Sequence, residues 1–565
     1  MVLLIRQRAQ GQDPIWVQVG WLAAVVVGLA SYRYWLSPAA GIPAFVIWAS
    51  VVALLVQCAP QNASRTNVIR VVVYPLALIA PVAIVFHYVS IQPFVGSLDF
   101  FYYVSYARDM LSDRGIASDN CYKYFPGVYA FWRSVMTFCG DSLESLQQRY
   151  LGVLLLNAML VSAIVFRSTK RIAWAWVALF WYLVASERFQ GFSGTTGPIA
   201  TIPFLLGILV WSGQPLRGRH GWICAVALGV GIGLSLYTRQ QAGLLSLGAA
   251  ALLFNCRFLG KNGAADSRHQ VPVLISLPLI SLFTFVAAIL SEGRGLSIVS
   301  SGLGTVAAYT PRQYPLLNLY VQLRADEASW LAFGIAGIVW MLLVACRRPT
   351  SARWFEVAGF CLIAGAASMV QFLSRPYGHY MLLGLPCFII ATVVILGHYV
   401  EAAMRSHRLS QNGKWLVICL VALPLVNSKS RDDAIQLWRL GRPASEALRK
   451  HQWHLQVDVK KDLSELEPLV GRGDRMYVYP PRHNSPYLLL GTQGIAKTGY
   501  GFIAPQIEEL PFDKLKWILV IEAGRDETDR AEFTDGEAIK TAAKSRGFRL
   551  AARLKTMTLW RKGRP

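Results

Sequence analysis

Charge is what this chain has least of. Charged residues make up 15% of its 565 residues, against about 25% in an ordinary soluble domain. Acids are the scarcer sign, 32 against 55 lysines and arginines. No CxxC pair and no Cys/His cluster occurs, so nothing reads as a zinc site. No DxD pair is present to hold Mg²⁺. Internal repeats and low-complexity tracts are absent, which removes solenoids and inverted-repeat transporters from the first rank. The formal charge of +23 would suggest nucleic acid in a soluble protein, but no basic module of a known binding type accompanies it. Nine cysteines are scattered, and seven of them (58, 224, 256, 346, 361, 387 and 419) lie in or at the ends of apolar segments as packing residues. Cys121 and Cys139 share one long loop and suit a disulfide if that loop is extracytoplasmic.

What fills the chain is apolar sequence. Hydrophobic residues make up 54%, and mean hydropathy is +0.40. Crossing a bilayer takes about 20 mostly apolar residues. Thirteen spans are expected, at about 16–36, 41–59, 71–89, 149–166, 172–187, 195–211, 221–237, 240–255, 271–290, 329–346, 354–373, 379–399 and 414–427. The fifth, eighth and last of these are the shortest, and the total expected is about 11–13. The first run lacks a small-residue cleavage site and reads as a retained helix. With the N-terminus in the cytoplasm, the inside loops carry Arg65/Arg70, Arg167/Lys170/Arg171, Arg217/Arg219, Arg257/Lys261/Arg268, Arg347/Arg348/Arg353 and Arg405/Arg408/Lys414. The short outside turns hold single cations: Arg33, Arg188, Arg239 and Arg375. This alternation follows the positive-inside rule without a break.

The fold class expected is therefore an α-helical polytopic membrane protein with a C-terminal α/β soluble domain. Residues 1–427 form the transmembrane part, with an outside loop at 90–148, and residues 428–565 form an extracytoplasmic domain. A second outside loop spans 292–327. In the C-terminal domain, Arg475–Tyr479, Trp517–Glu522 and Leu550–Trp560 read as strands, and Gly536–Arg546 reads as a helix closed by Gly547.

The outside loop holds the chemistry. Ser97 suits an N-cap for a helix running to about Asp113. Asp99 then sits in its first turn, and Tyr103 and Tyr106 share its face at i+4 and i+7. Two readings fit Asp99. It is an acid favoured by the helix dipole, or a general base that takes a proton from an attacking hydroxyl beside a wall of aromatic rings. Lys123 suits a phosphate or headgroup, and Tyr124-Phe125-Pro126-Gly127 breaks one helix and opens another. Arg239, in LSLYTRQQAGLL beside Gln240, sits between two apolar segments with almost no loop. An arginine at that depth is costly; it marks a functional site or a snorkelling anchor. Its fork suits phosphate oxygens. Glu187-Arg188 and the group Arg375, Tyr377, His379, Tyr380 are the other outward clusters. Their bland readings are a mutual ion pair and a structural hydrogen bond. One acid with several cations on one membrane face suits transfer from a lipid-phosphate donor.

The pattern resembles the GT-C fold, integral-membrane glycosyltransferases that use polyprenyl-phosphate sugars. DFFYYVSYARDML followed by YKYFPGVYAF is similar to the D-F-x-x-Y…Y-x-Y-P-P pattern of the bacterial polyprenol-phosphate-mannose-dependent branch, with Gly127 in place of the second proline. YTRQQAGLLSLGAAALLF resembles a basic-Gln motif that opens a later helix. SRPYGHYMLLGLPCFII resembles the H-Y-x-L-P-L-x-P segment of protein O-mannosyltransferase-like and aminoarabinose-transferase-like members. The resemblance implies Asp99 as the base of an inverting hexosyl transfer, mannosyl in the branch named. Arg239, Arg188, Arg375 and Lys123 would hold the donor phosphate. Tyr103, Tyr106, Tyr124, Glu187, Gln240, His379 and Tyr380 would line the donor or acceptor groove. It also implies a polyprenyl-phosphate-sugar donor, a glycan or lipid-linked acceptor, no required metal or other cofactor, no nucleic acid, and a bacterial inner-membrane location. An O-antigen polymerase or ligase and a transporter or flippase are the alternative readings.

Overall fold

The computed structural model describes residues 98–111, 125–188, 194–213, 218–239, 242, 264–292, 353–368, 378–405, 457–480, 483–494, 507–522 and 536–563. A helical bundle comes first: α1 (Leu98–Leu111), α2 (Gly127–Cys139), α3 (Leu143–Thr169), α4 (Ile172–Arg188), α5 (Thr196–Gly213), α6 (Gly218–Thr238), α7 (Ala264–Ser291), α8 (Arg353–Ser368) and α9 (Leu385–Arg405). Among the described residues, Ser145–Thr169 and Leu385–Ala402 are long and apolar enough to cross a membrane. Ala173–Leu183, Thr196–Ser212, Trp222–Thr238, Ser276–Ser291 and Trp354–Ser368 are shorter apolar helices. The spans expected at 16–36, 41–59, 71–89, 240–255, 329–346 and 414–427, and most of the loop at 292–327, lie outside the described residues.

Local chemistry sets several of the ends. The Ser142 hydroxyl accepts from Ser145 N–H at 3.2 Å and starts α3. Lys170 closes it in a left-handed conformation (φ 58°), its N–H donating to Phe166 O at 2.7 Å. The span expected at 149–166 is therefore longer at both ends. The span expected at 379–399 divides into a 3-10 turn, Gly378–Leu383, and α9.

Helix α6 is pressed between α5 and α7. A methyl group at Gly231 would lie 2.3 Å from the carbonyl oxygen of Pro203 on α5. One at Gly233 would lie 2.5 Å from Ser281 O on α7. Small residues at such crossings let backbones meet. On the far side of the bundle Ser162 Oγ donates to Ala175 O at 2.8 Å, tying α3 to α4. Arg171 and Glu401 pair at 3.1 Å, tying the start of α4 to α9.

The C-terminal part has α10 (Val457–Leu466), β1 (Met476–Tyr479), α11 (Ser485–Leu489), β2 (Trp517–Ile521), α12 (Gly536–Ser545), β3 (Phe548–Arg553) and β4 (Met557–Lys562). The sheet order is β1-β2-β4-β3, with β1 and β2 parallel and the other pairs antiparallel. Alternation sorts its faces. Met476, Val478, Leu519 and Leu559 join one continuous core with α10 and the bundle, while Tyr477, Ile518, Val520 and Trp560 cover Ile539 and Ala543 of α12. The single strand expected at Leu550–Trp560 is instead a hairpin. Asp462, buried on α10, accepts both the N–H and the hydroxyl of Thr556 at 2.6 Å, pinning a turn that contains neither Gly nor Pro.

At the other end of the sheet Asp474 accepts from Gly471 N–H (3.0 Å), Trp517 Nε1 (2.9 Å) and Lys516 Nζ (2.9 Å). Partial burial pulls its pKa up, but these donors outweigh burial and hold the carboxyl below its ordinary value. Its stabilisation is therefore present above the unfolded carboxylate value, about pH 4, and is lost as pH falls through the lowered folded value.

Gly231→Ala should cost about 1–3 kcal/mol by overpacking, whereas Gly152→Ala on α3, where an added methyl meets nothing within 4 Å, should not destabilise. Thermal unfolding of the purified full chain compares them. Asp474→Asn should lower the melting temperature at pH 7, with the difference from wild type closing as the buffer is acidified below about pH 4.

Candidate functional site

Five chain segments meet at one end of the bundle. They are the start of α1, the start of α2, the turn before α5, the end of α6 and the 3-10 turn before α9. Glycines bring them together. At Gly194 the backbone has φ +81°, and an added Cβ would lie 2.4 Å from Cδ2 of Phe100. The residue after Asp99 is thus seated on the turn that leads into α5. At Gly197, in the first turn of α5, an added Cβ would lie 3.2 Å from Nη1 of Arg239 and 2.9 Å from Cβ of Leu382. At Gly127 it would lie 2.8 Å from Tyr237 O and Thr238 Cα. Gly127 therefore abuts the two residues before Arg239.

The start of α5 is held from α3. Tyr150 Oη donates to Thr195 O at 3.1 Å, and Asn157 Nδ2 donates to Pro198 O at 2.6 Å. Thr201 Oγ1 donates to Asn157 Oδ1 at 3.1 Å and fixes that amide. Trp132 of α2 stacks on Tyr150 (centroids 6.2 Å) and meets Phe100 edge-on (5.4 Å). A chain of rings thus runs from the residue beside Asp99 to the start of α5.

Arg239 follows α6 directly, its N–H donating to Ser235 O at 2.9 Å. Its side chain is 2% exposed. A buried guanidinium lies beside the N-terminal end of α5, which carries the positive end of its own dipole. Two positive features facing one place favour an anion there, as oriented N–H groups do for phosphate. Next to it, Tyr237 Oη donates to Glu292 Oε1, and Arg133 Nη2 lies 3.6 Å from Glu292 Oε2. This carboxylate ties α7 to α6 and α2.

Asp99 is the second residue of α1, in its first turn. Glu187 and Arg188 end α4, and His379 and Tyr380 lie in the 3-10 turn whose Leu382 touches the Arg239 site. Lys123, Tyr124, Gln240 and Arg375 lie outside the described residues, as do Ser97 and Cys121. Cys139 is a free thiol. Tyr103 and Tyr106, expected to face a groove, are each 1% exposed and pack with Tyr102 and Tyr129. Sequence reasoning passed over Tyr150, Asn157, Trp132 and Glu292. Asn157 carries a signal, a lone amide in an apolar run; Trp132 carries none.

No family model and no curated protein matches the sequence. Among solved structures the chain is similar to ArnT from Cupriavidus metallidurans, determined with undecaprenyl phosphate bound. The TM-score is 0.51 at 12% identity, covering 88% of this chain and 98% of that one. It is also similar to the oligosaccharyltransferase AglB from Archaeoglobus fulgidus, determined with an inhibitory peptide and a dolichol-phosphate. There the TM-score is 0.47 at 12% identity, covering 92% of this chain and 73% of that one. The likeness to ArnT shows that the chain has a GT-C fold.

Gly197→Ala should push the Arg239 guanidinium and Leu382 apart and cost about 1–3 kcal/mol. Gly194→Ala adds backbone strain of about 1–3 kcal/mol to its clash with Phe100. Both should lower the melting temperature of the full chain, Gly194→Ala by more.

Proposed function

We propose that the chain is a bacterial inner-membrane glycosyltransferase that moves a sugar, mannose by the branch it resembles, from an undecaprenyl- or decaprenyl-phosphate carrier to a glycan or lipid-linked glycan on the periplasmic side. The observation that carries this reading is the buried Arg239 guanidinium against the first turn of α5, beside the turn on which Phe100 sits. That puts a phosphate-suited cation and the helix start bearing Asp99 around one turn. The ArnT structure with undecaprenyl phosphate bound supports the donor class. Large apolar side chains exposed on α6 and α7, among them Trp222, Ile223, Leu279, Leu282 and Phe283, need an apolar surrounding, which a bilayer supplies.

In this reading Asp99 accepts the proton of the acceptor hydroxyl as that oxygen attacks the anomeric carbon. The carbon–oxygen bond to the carrier phosphate breaks, and polyprenyl phosphate leaves with the bonding electrons. Attack opposite the leaving group inverts the anomeric centre. Arg239 and the α5 N–H groups take up the charge that grows on the departing phosphate. Since Arg239 is nearly without exposure, the phosphate replaces protein atoms that now cover the guanidinium, and it gains a dry, strengthened contact. Arg188, Arg375 and Lys123 also hold the donor phosphate in this reading. Glu187, Gln240, Tyr124, His379 and Tyr380 contact donor or acceptor sugar. Residues 1–427 carry the reaction, and residues 428–565 lie on the periplasmic side.

Membranes supplied with labelled undecaprenyl-phosphate sugars test this. Asp99→Asn should lower transfer by about 10²–10⁴-fold, the usual worth of a general base. Arg239→Ala should lower it by about 10²–10³-fold, with Arg239→Lys failing to restore it because the fork is lost. Full activity in Asp99→Asn would remove the base assignment. A cysteine in place of exposed Arg553 should react with an impermeant maleimide added from the periplasm; protection there would reverse the topology.

A further inference from the structure

The last described segment is strongly basic. Between Gly536 and Gly563 the chain carries eight lysines and arginines against one acid, Glu537. Three of the cations are answered locally: Lys540 pairs with Glu522 and Glu537 (2.7 Å each), Lys555 with Asp458 (2.7 Å), and Lys562 donates to Phe512 O and Asp513 O. Arg549 and Arg561 are not. They stand directly opposite each other on β3 and β4, so both point to the same face, and both are exposed. Neither lies within 4 Å of a carboxylate among the described residues. Like charges in that position repel and weaken a strand pair. Sheets do not gain by this arrangement; an anion placed across both guanidiniums does.

The row continues. Arg561 is also opposite Trp517 of β2, and its guanidinium carbon lies 5.5 Å from the centre of that indole. The ring is 2% exposed, so the guanidinium roofs it rather than sharing it with a ligand. Trp517 Nε1 and Lys516 are held by Asp474, whose carboxylate is thereby occupied. The turn that carries Asp474 leads to Arg472, which lines a cavity of about 370 Å³ between the sheet end and the bundle. Arg108 of α1 lines it from the bundle side, with Asp141, Ser142 and Gln493 completing its polar wall. Arg108 itself donates to Leu488 O (3.5 Å) and Thr492 O.

We infer that the row Trp517–Arg561–Arg549 and the cavity at its end bind an acidic glycan, one whose sugars bear carboxylate or phosphate groups. Two exposed guanidiniums about 5 Å apart at Cβ match neighbouring anionic groups on a chain molecule, and bidentate contacts favour carboxylate and phosphate alike. The cavity supplies acceptors and donors for hydroxyls, which an acidic glycan has and a lipid surface does not carry into a recess. Naming the glycan as the acceptor rests on the transfer reading above; the binding itself does not.

The test measures binding without turnover. Full-length protein in nanodiscs of zwitterionic lipid is titrated with fluorescent oligogalacturonate, and with a neutral oligomannoside as control. Oligogalacturonate should bind, more weakly as salt rises. Arg549→Glu/Arg561→Glu should weaken it at least tenfold, and Arg549→Gln/Arg561→Gln at least threefold. Oligomannoside should behave alike in all proteins. The Gln pair removes the repulsion without adding charge, so it keeps the test open if the Glu pair misfolds. Equal oligogalacturonate binding by wild type and both double variants overturns the inference. So does a double variant that loses only its preference for phosphatidylglycerol vesicles, which would assign the row to lipid. Undiminished transfer by Asp99→Asn would defeat the catalytic reading and leave this binding result standing.

Discussion

A charge kept out of water dictates its surroundings, and the Arg239 guanidinium is that charge here. It is 2% exposed in a bundle otherwise built from apolar faces. Leaving it uncompensated would cost several kcal/mol, so the structure around it is fixed rather than incidental. Gly197 leaves the room that the guanidinium fills. Tyr150 and Asn157 hold the chain around Gly197 in place by its carbonyls. Helix α6, which delivers Arg239, is clamped by glycine crossings on both sides. Phe100 closes the arrangement by seating α1 on the same turn. Each of these contacts has its own local cause, yet they share one destination.

The C-terminal sheet belongs to the same body. Its inner face carries Met476, Val478, Leu519 and Leu559 into the core of the bundle and stays open to solvent at Arg549 and Arg561. Only the outer face is closed independently, by α12. The sheet thus has a second apolar face to bury against another layer. It gains its buried area from α10 and from the helices, which explains why α11 and α1 meet where they do. The basic row lies where that shared core ends and the sheet meets solvent.

Much of this was legible in the sequence, and the legible parts share a reason. Apolar run length located α3 to α9, each of which overlaps an expected span, because burial of helix faces writes itself into composition. Arg239 stood out because charge inside such a run is rare. The helix beginning at Leu98 was readable from the N-cap expected at Ser97. What escaped was set by partners far along the chain. The hairpin turn at Thr556 is held by Asp462, and no turn residue marks it. Tyr103 and Tyr106, read as part of a groove wall, pack with Tyr129, a contact that helical spacing does not show. Gly194 and Gly197 were visible in GFSGTTGP, yet that they admit Phe100 and Arg239 depends on contacts across the bundle.

Helix α1 is gripped at both ends by different parts of the protein. Phe100 fixes its start on the α5 turn, and Arg108 fixes its end on the carbonyls of Leu488 and Thr492. Eight residue steps of helix separate them, about 12 Å of stiff rod at about 1.5 Å per residue. Such a rod cannot stretch, so a tilt of the sheet against the bundle must swing the start of α1 or break one grip. The helix works as a gauge block: it sets the spacing between the sheet and the turn before α5.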